Sequence, residues 1–260
     1  MAGSMMSWGS RLFAGALIAA ALGATARADD PKTILKAMAD YVASQKTLSL
    51  SFDADIEVIT PQIQKIQFTA SGELDLSRPD KVRARRTGGY ADVELVADGK
   101  ALTLFARNAG LFAQVSTEGM VEPLIDRLRS EYGLEMPGAD LLRADAYEVL
   151  MEDVIEAEHI GRGVVDGIEC EHLAFRNNET DWQIWIEVGA KPIPRKYVIT
   201  SKGVAAAPQY TLRIKDWRPD VQFAAEAFVF QPPASVRKVE IADLGHLDEI
   251  PLGQIAGGKK

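Results

Sequence analysis

The chain has 260 residues, of which 47% are hydrophobic and 25% are charged, the composition of a folded globular protein with a sizeable core. Its formal net charge of -8 does not favour nucleic acid, which needs clustered positive charge, and gives no attraction to an anionic membrane surface. Because Cys170 is the only cysteine, no intrachain disulfide is possible and the fold depends on its hydrophobic core.

The first residues show the three parts of a secretory signal peptide. Arg11 precedes an apolar run over residues 12–22, and an A-R-A cleavage pattern follows at 26–28. The apolar run is shorter than the ~20 residues that a membrane-spanning helix needs, so we expect no stable membrane insertion. The alternative is a buried N-terminal helix. We predict that residues 1–28 are removed on export and that the mature chain is periplasmic.

After residue 28, the pattern predicts a helix and then two long strands. Asp30 is the expected N-cap, Pro31 is the first helical residue, and the helix should end near Gln45. Apolar and polar residues then alternate from 48 to 58 and from 66 to 76, which is typical of antiparallel strands with one buried and one solvated face. Strands of this length favour a strongly curved sheet.

Shorter strands are predicted next, and a helical insert follows them. A meander covers residues 81–115, with turn residues between its strands. From 118 to 152 the period is helical, with a helix expected at 122–132, a short segment around 141–142, and then Asp145 as the N-cap of a helix at 146–151. The insert therefore separates this meander from a second run of strands.

The second run of strands is predicted from 154 to 217. Its clearest hairpin is 181–202, in which apolar side chains fall on one face in period two and a turn marked by glycine and proline follows. The apolar face of this hairpin, expected on the covered side of the sheet, carries Trp182, Ile184 and Ile186. The segment 228–230, just before two prolines, is expected to close the sheet.

Together these patterns predict one α+β domain over residues 29–233 and a polar C-terminal tail over 234–260. The expected fold is a large curved antiparallel sheet of about eleven strands, with short helices covering its concave face. A sheet of this size must cover its apolar face, and the helices are the candidates for that cover. Whether the enclosed space is filled by side chains or left open for a ligand is the main functional question.

Four stretches carry a resemblance to a known family. They are ADVELVADGKALTLF at 91–105, PGADLLRADAYEVLMED at 137–153, GRGVVDGIECEHLAF at 161–175 and the hairpin at 181–202. In these stretches the chain is similar to a family of predicted periplasmic bacterial proteins, and its overall pattern resembles the fold of the lipoprotein carrier LolA. The resemblance implies an incomplete β-barrel with an α-helical lid over a hydrophobic cavity, which in the carriers holds lipoprotein acyl chains.

The sequence contains no recognisable catalytic centre. It has no nucleophile elbow, no phosphate-binding glycine loop and no H-E-x-x-H motif. The densest group of potential metal ligands is 169–172, where a strand would place Cys170 and His172 on one face. Packed or solvated side chains are the favoured interpretation there. We expect no metal site, no cofactor and no enzyme activity.

Two charged runs each have a binding interpretation and a simpler alternative. The first run consists of Asp53, Asp55 and Glu57. These carboxylates share a face and could bind calcium, but the solvated outer face of a strand is favoured. The second run consists of Lys81, Arg83, Arg85 and Arg86. It could dock a phosphate headgroup or an acidic partner, but an outward face paired with carboxylates on neighbouring strands is favoured.

We therefore predict a periplasmic binding or carrier protein for a hydrophobic or lipidated ligand, held between the sheet and a movable lid formed by 122–132 and 141–151. The expected partner is a lipid or an acylated ligand, and an envelope protein is a further candidate. The residues expected to line the cavity are Leu50, Phe52, Ile56, Phe68, Leu74, Leu142, Trp182, Ile184 and Ile186. The alternative is a non-catalytic envelope interaction or sensor module with the same fold and a filled core. An enzyme using Cys170 and His172 is a third hypothesis.

Overall fold

A computed structural model of the chain describes residues 30–117, 119–134 and 136–244. The predicted signal peptide and the end of the predicted tail lie outside the described residues. No helix in the described part of the chain is both long and apolar enough to cross a membrane.

The described residues form three α-helices, two 3-10 turns and thirteen strands. The helices are α1 (Pro31–Ser44), α2 (Val121–Tyr132) and α3 (Ala146–Met151), with 3-10 turns at Ala139–Leu142 and Ile241–Asp243. The strands are β1 (Thr47–Ile59), β2 (Lys65–Ser77), β3 (Lys81–Gly88), β4 (Asp92–Asp98), β5 (Ala101–Ala106), β6 (Leu111–Ser116), β7 (Glu156–Val165), β8 (Ile168–Arg176), β9 (Thr180–Glu187), β10 (Pro194–Ser201), β11 (Gln209–Ile214), β12 (Arg218–Pro219) and β13 (Arg237–Lys238).

All of these strands belong to one sheet. Two antiparallel meanders, β1 to β6 and β7 to β11, are joined side by side through the antiparallel pairing of β1 with β11. The short β12 pairs with β1, and β13 pairs with β6 in parallel. Within the described residues the sheet is open, because β7 and β13 lie at its two ends. The predicted class, an α+β fold with one large antiparallel sheet, is confirmed.

The first helix and the first two strands form for local reasons. The Asp30 carboxylate accepts a hydrogen bond from the backbone N–H of Lys32 at 3.3 Å, and Pro31 occupies the first turn, where no N–H is needed. β1 and β2 pair continuously from Thr47 opposite Ser77 to Ile59 opposite Lys65. Because successive side chains alternate between faces, this pairing gives one apolar face, and the other face is polar.

The helical insert follows its prediction. The short segment expected around 141–142 is the 3-10 turn at 139–142, and the helix expected at 146–151 is α3. Arg143 between them has an extended backbone, with φ of -70° and ψ of 152°. The Arg143 guanidinium lies between Asp126 at 2.6 Å and Asp145 at 2.7 Å. Asp145, the expected N-cap of α3, therefore uses its carboxylate on Arg143 and makes no side-chain capping bond.

The predicted closing strand at 228–230 is wrong. Phe228 is buried without strand pairing, and the ring of Phe230 packs against those of Phe105 and Phe112 with centroids 5.5 and 5.2 Å apart. The two following prolines have no N–H to donate to a ladder. The edge beside β6 is occupied instead by β13, from the segment expected to be tail, and Leu244 is also buried.

Candidate ligand-binding cavity

An apolar cavity of about 440 Å³ lies between the sheet and the chain that connects α2 to α3. From the sheet, its wall is formed by Leu50, Phe52, Ala54, Ile56, Phe68, Ala70, Leu74, Ala84, Val93, Leu95, Leu104, Leu212 and Ile214. From the connecting chain, it is formed by Leu134, Met136, Pro137, Gly138, Ala139 and Leu142. The remaining lining residues are Arg85, Arg86 and Tyr210. This volume and composition are typical of a small-molecule site.

Small side chains on the covered face leave this space open. Ala54 and Ala70 are directly opposite each other on β1 and β2, and Ala84 on β3 is opposite Leu74. Gly72 is opposite Phe52, and a Cβ atom there would lie 2.2 Å from Cζ of that ring. Larger residues at these positions would therefore fill the cavity with side chains.

The cover of the cavity is formed by Leu134 and residues 136–142, which we call the cover segment. Gly138 has φ of +90°, and a Cβ atom there would lie 2.6 Å from Cδ2 of Leu212. Glycine adopts this φ without steric cost, which suits this point of the cover segment. The cover segment is also tied to α2 by an ion pair between Arg129 and Asp140 at 2.9 Å.

A cluster of charged side chains fixes the far end of the insert. Arg78, which follows β2, forms an ion pair with Glu122 of α2 at 3.1 Å and donates hydrogen bonds to the backbone carbonyls of Gln45 and Leu142. Glu122 also accepts a hydrogen bond from the backbone N–H of Ala144 at 2.9 Å. Both charged side chains are largely buried, so this cluster anchors the insert to the end of β2.

The structure brings together only some of the residues expected to line a cavity. Leu50, Phe52, Ile56, Phe68, Leu74 and Leu142 lie on its wall. Trp182, Ile184 and Ile186 do not. These three side chains are buried, but their part of the covered face is filled, because the Trp182 ring stacks on Phe175 at 3.9 Å and meets the edge of Tyr197 at 5.8 Å.

Two parts of the wall were not expected. The first is β11, which contributes Tyr210, Leu212 and Ile214 because it pairs with β1. Their period-two spacing is visible in the sequence, but their neighbour strand is not. The second is the part of the cover segment formed by Leu134 and residues 136–139. From the helices expected as a lid, Leu142 alone among the described residues lines the cavity. The Met-Pro-Gly sequence of the cover segment indicates a break between helices and carries no signal of a lining role.

The charged runs are mostly paired on the outer face. Asp53 contacts Lys215 at 2.5 Å, and Glu57 contacts Lys65 at 2.9 Å. The hydrogen bond from Lys215 holds the pKa of Asp53 below its ordinary value. In the basic run, Arg83 contacts Glu94 at 2.6 Å and Arg85 contacts Asp92 at 2.8 Å. Arg86 differs from the favoured interpretation of an outward face, because it lines the cavity.

The Cys170 and His172 pair is not arranged for catalysis. Cys170 is fully buried, and burial raises the pKa of its thiol to about 11, which disfavours the thiolate nucleophile. The His172 ring bonds to Gln183 at 2.9 Å and stacks on Trp185 at 4.1 Å. The other face of this stack is bounded by charge, because the Lys196 ammonium lies 4.6 Å from the Trp185 ring centroid. In the described ranges, no three His, Cys, Asp or Glu residues form a potential metal site.

A family model described as "Predicted periplasmic protein (DUF2092)" matches residues 32–242 of the chain. No curated protein matches its sequence significantly. Among solved structures, it is similar to an uncharacterized conserved protein from Thermus thermophilus, with 9% identity, 80% of this chain and 98% of the other covered, and a TM-score of 0.47.

Two further solved structures have comparable similarity. For the Mycobacterium tuberculosis lipoprotein LppX, the identity is 12%, the coverage is 74% of this chain and 96% of the other, and the TM-score is 0.44. For the MucA/MucB complex of Pseudomonas aeruginosa, the identity is 13%, the coverage is 81% and 63%, and the TM-score is 0.40. These scores are too low to carry an inference about what this chain binds.

Proposed function

The chain belongs to the DUF2092 family of predicted periplasmic proteins, and we propose that it is a periplasmic binding or carrier protein for a hydrophobic or lipidated ligand. The ligand lies in the cavity between the sheet and the cover segment. The observation that carries this proposal is an apolar cavity of about 440 Å³ between a one-sided sheet and its cover. The expected membership of a predicted periplasmic family is confirmed by the match over residues 32–242.

The size of the cavity favours one acyl chain. If each heavy atom takes the ~30 Å³ of a water molecule in the liquid, a volume of about 440 Å³ holds about 15 heavy atoms. Each buried methylene contributes ~0.8 kcal/mol, so about 12 methylenes gain on the order of 10 kcal/mol before the costs of ordering and association. This gain is sufficient for binding without any chemical step.

The proposed role is non-catalytic, in keeping with the raised pKa of the buried Cys170 thiol. The alternative of an envelope interaction or sensor module requires a filled core. The described residues enclose a cavity instead, which favours the carrier role.

The first experiment asks whether the protein carries a lipid. Mature protein purified from its native host is extracted with organic solvent, and the extract is analysed by lipid mass spectrometry. The purified protein is also titrated with a fluorescent fatty acid. We expect a bound lipid in the extract and saturable displacement of the probe. An extract without lipid, together with no probe binding, would refute the proposal.

The second experiment fills the cavity by mutation. Ala84→Phe places a ring in the wall, whereas Thr69→Phe adds the same ring on the exposed face of β2. We expect Ala84→Phe to weaken probe binding at least about tenfold, because the ring takes the space of the acyl chain. Thr69→Phe should leave binding unchanged. Equal affinities for the two variants would place the bound probe outside this cavity.

A further inference from the structure

Arg86 is a cation in an otherwise apolar wall. Along β3, Val82, Ala84 and Arg86 share the covered face, whereas Arg83 and Arg85 point outward to carboxylates. Across the sheet, Arg86 is opposite Gly72 on β2 and Val93 on β4. A charged side chain at such a position is costly unless it serves an interaction. Because side chains alternate between the two faces of β3, Arg86 lies on the opposite face of the sheet from Arg83 and Arg85.

Tyr210 places a second polar group in the same cavity. Burial raises the pKa of its phenol to about 12, while the nearby charge of Arg86 acts to lower it. The phenol therefore stays protonated at neutral pH and keeps an O–H group that can donate a hydrogen bond. Among the described lining residues, the Arg86 guanidinium and the Tyr210 hydroxyl thus lie within electrostatic reach of each other.

The strand register places Tyr210 at one end of the cavity and Arg86 further along the same wall. Tyr210 is opposite Ile56, which is opposite Phe68, and these are the lining residues nearest the β1–β2 turn, whereas Arg86 is opposite Gly72, two rows further along the covered face. The ring of Phe68 meets that of Tyr90 edge-on at 5.5 Å, and Tyr90 is 50% exposed. Leu142, whose carbonyl bonds to Arg78, marks the opposite end. A polar group at the Tyr210 end would lie close to solvent, and an apolar chain would extend away from it.

We propose, on the basis of the carrier function above, that Arg86 and Tyr210 bind the anionic head of a single-chain lipid in this cavity. The shared chemistry is a carboxylate or a phosphate at the end of one acyl chain. Arg86 also has interactions within the protein, but its guanidinium carries five N–H donors in a fork that matches either head group. The Tyr210 hydroxyl supplies a further donor to the same oxygen atoms.

The test compares ligands that share one chain and differ in the head. Tetradecanoate, tetradecyl phosphate and tetradecanol are titrated at neutral pH into the mature protein and three variants, Arg86→Met, Tyr210→Phe and Arg213→Met. Arg213→Met is the matched control, because Arg213 is exposed on β11 and lies outside the cavity lining. Binding of tetradecanol reports whether each variant retains a folded cavity.

We expect the unmodified protein and Arg213→Met to bind at least one anionic ligand about tenfold or more tightly than tetradecanol. Arg86→Met should remove most of this preference, and Tyr210→Phe should reduce it, while both retain tetradecanol binding. The better of the two anions identifies a carboxylate or a phosphate as the natural head. Equal binding of all three ligands by the unmodified protein, or an unchanged preference in Arg86→Met, would overturn the head-group site alone. No binding of any ligand would instead refute the carrier function.

Discussion

Gly138 allows a sharp test of how the cover segment is held on the sheet. Its φ of +90° is a conformation that an alanine adopts at a cost of about 1–2 kcal/mol, part of which is offset by the lower entropy of the unfolded chain. In Gly138→Ala the new Cβ would also lie 2.6 Å from Cδ2 of Leu212, well inside an ordinary carbon–carbon contact. Relieving that overlap requires only a movement of the terminal methyl group of Leu212, which borders the cavity, and adds about 1 kcal/mol.

Gly133, the C-cap of α2, is the matched control. Its φ is +63°, but an added Cβ has no neighbour within 4 Å. We therefore expect Gly133→Ala to lower the free energy of unfolding by about 1 kcal/mol and Gly138→Ala by about 2–3 kcal/mol. Urea denaturation of the mature protein measures both values.

The two variants should also differ locally. In Gly138→Ala, the cover segment is displaced from Leu212, so its backbone amides should exchange faster with deuterium. A bound fluorescent fatty acid should also dissociate faster. Gly133→Ala should leave both rates near those of the unmodified protein. Equal losses of stability in the two variants, with unchanged exchange in the cover segment, would refute the close docking of Gly138 on the sheet.

Two further predictions concern the charged clusters. Arg78→Met should lower the free energy of unfolding by about 3–5 kcal/mol in urea, because it leaves the buried Glu122 carboxylate without its ion pair, whereas Lys36→Met, which breaks an exposed pair, should cost less than about 1 kcal/mol. Equal effects of the two substitutions would contradict the anchoring role. The hydrogen bond from Arg143 holds the pKa of Asp145 below its ordinary 3.8. The interaction between Asp145 and Arg143 therefore contributes fully to stability above pH 3.8, and this contribution is lost as the pH falls through the pKa of Asp145 in the folded protein. The urea midpoint should therefore decline in acid less steeply in Asp145→Asn than in the unmodified protein, and identical pH profiles would contradict this assignment.

The elements that could be predicted are those whose signals are local. Period-two alternation identified β1 and β2, and the Asp30-Pro31 cap identified the start of α1, because both depend on neighbours along the chain. The same alternation holds from Val82 through Ala84 to Arg86. The spacing along β3 therefore carries the signal that separates Arg86 from the outward-facing arginines.

The features that could not be predicted depend on contacts between distant segments. Whether an apolar side chain lines a cavity or fills a core is decided by what lies opposite it. Trp182 meets Phe175 and Tyr197, whereas Leu74 is opposite the small Ala84. The parallel pairing of β13 with β6 likewise has no local signal, because the two-residue strand is too short for a periodic pattern.

The pairing of β1 with β11 has a consequence for when the protein becomes able to bind. Phe52 pairs with Ile214, so one side of the cavity wall comes from the start of the chain and the other from near its end. A chain that emerges N-terminus first completes β1 to β6 well before β11 is available, and such long-range pairing forms slowly. Until β11 is available, the apolar face of the first meander therefore lacks the strand that completes the cavity wall. Ligand capture is then a property of the finished chain, and a truncation before β11 should abolish it while leaving most strands intact.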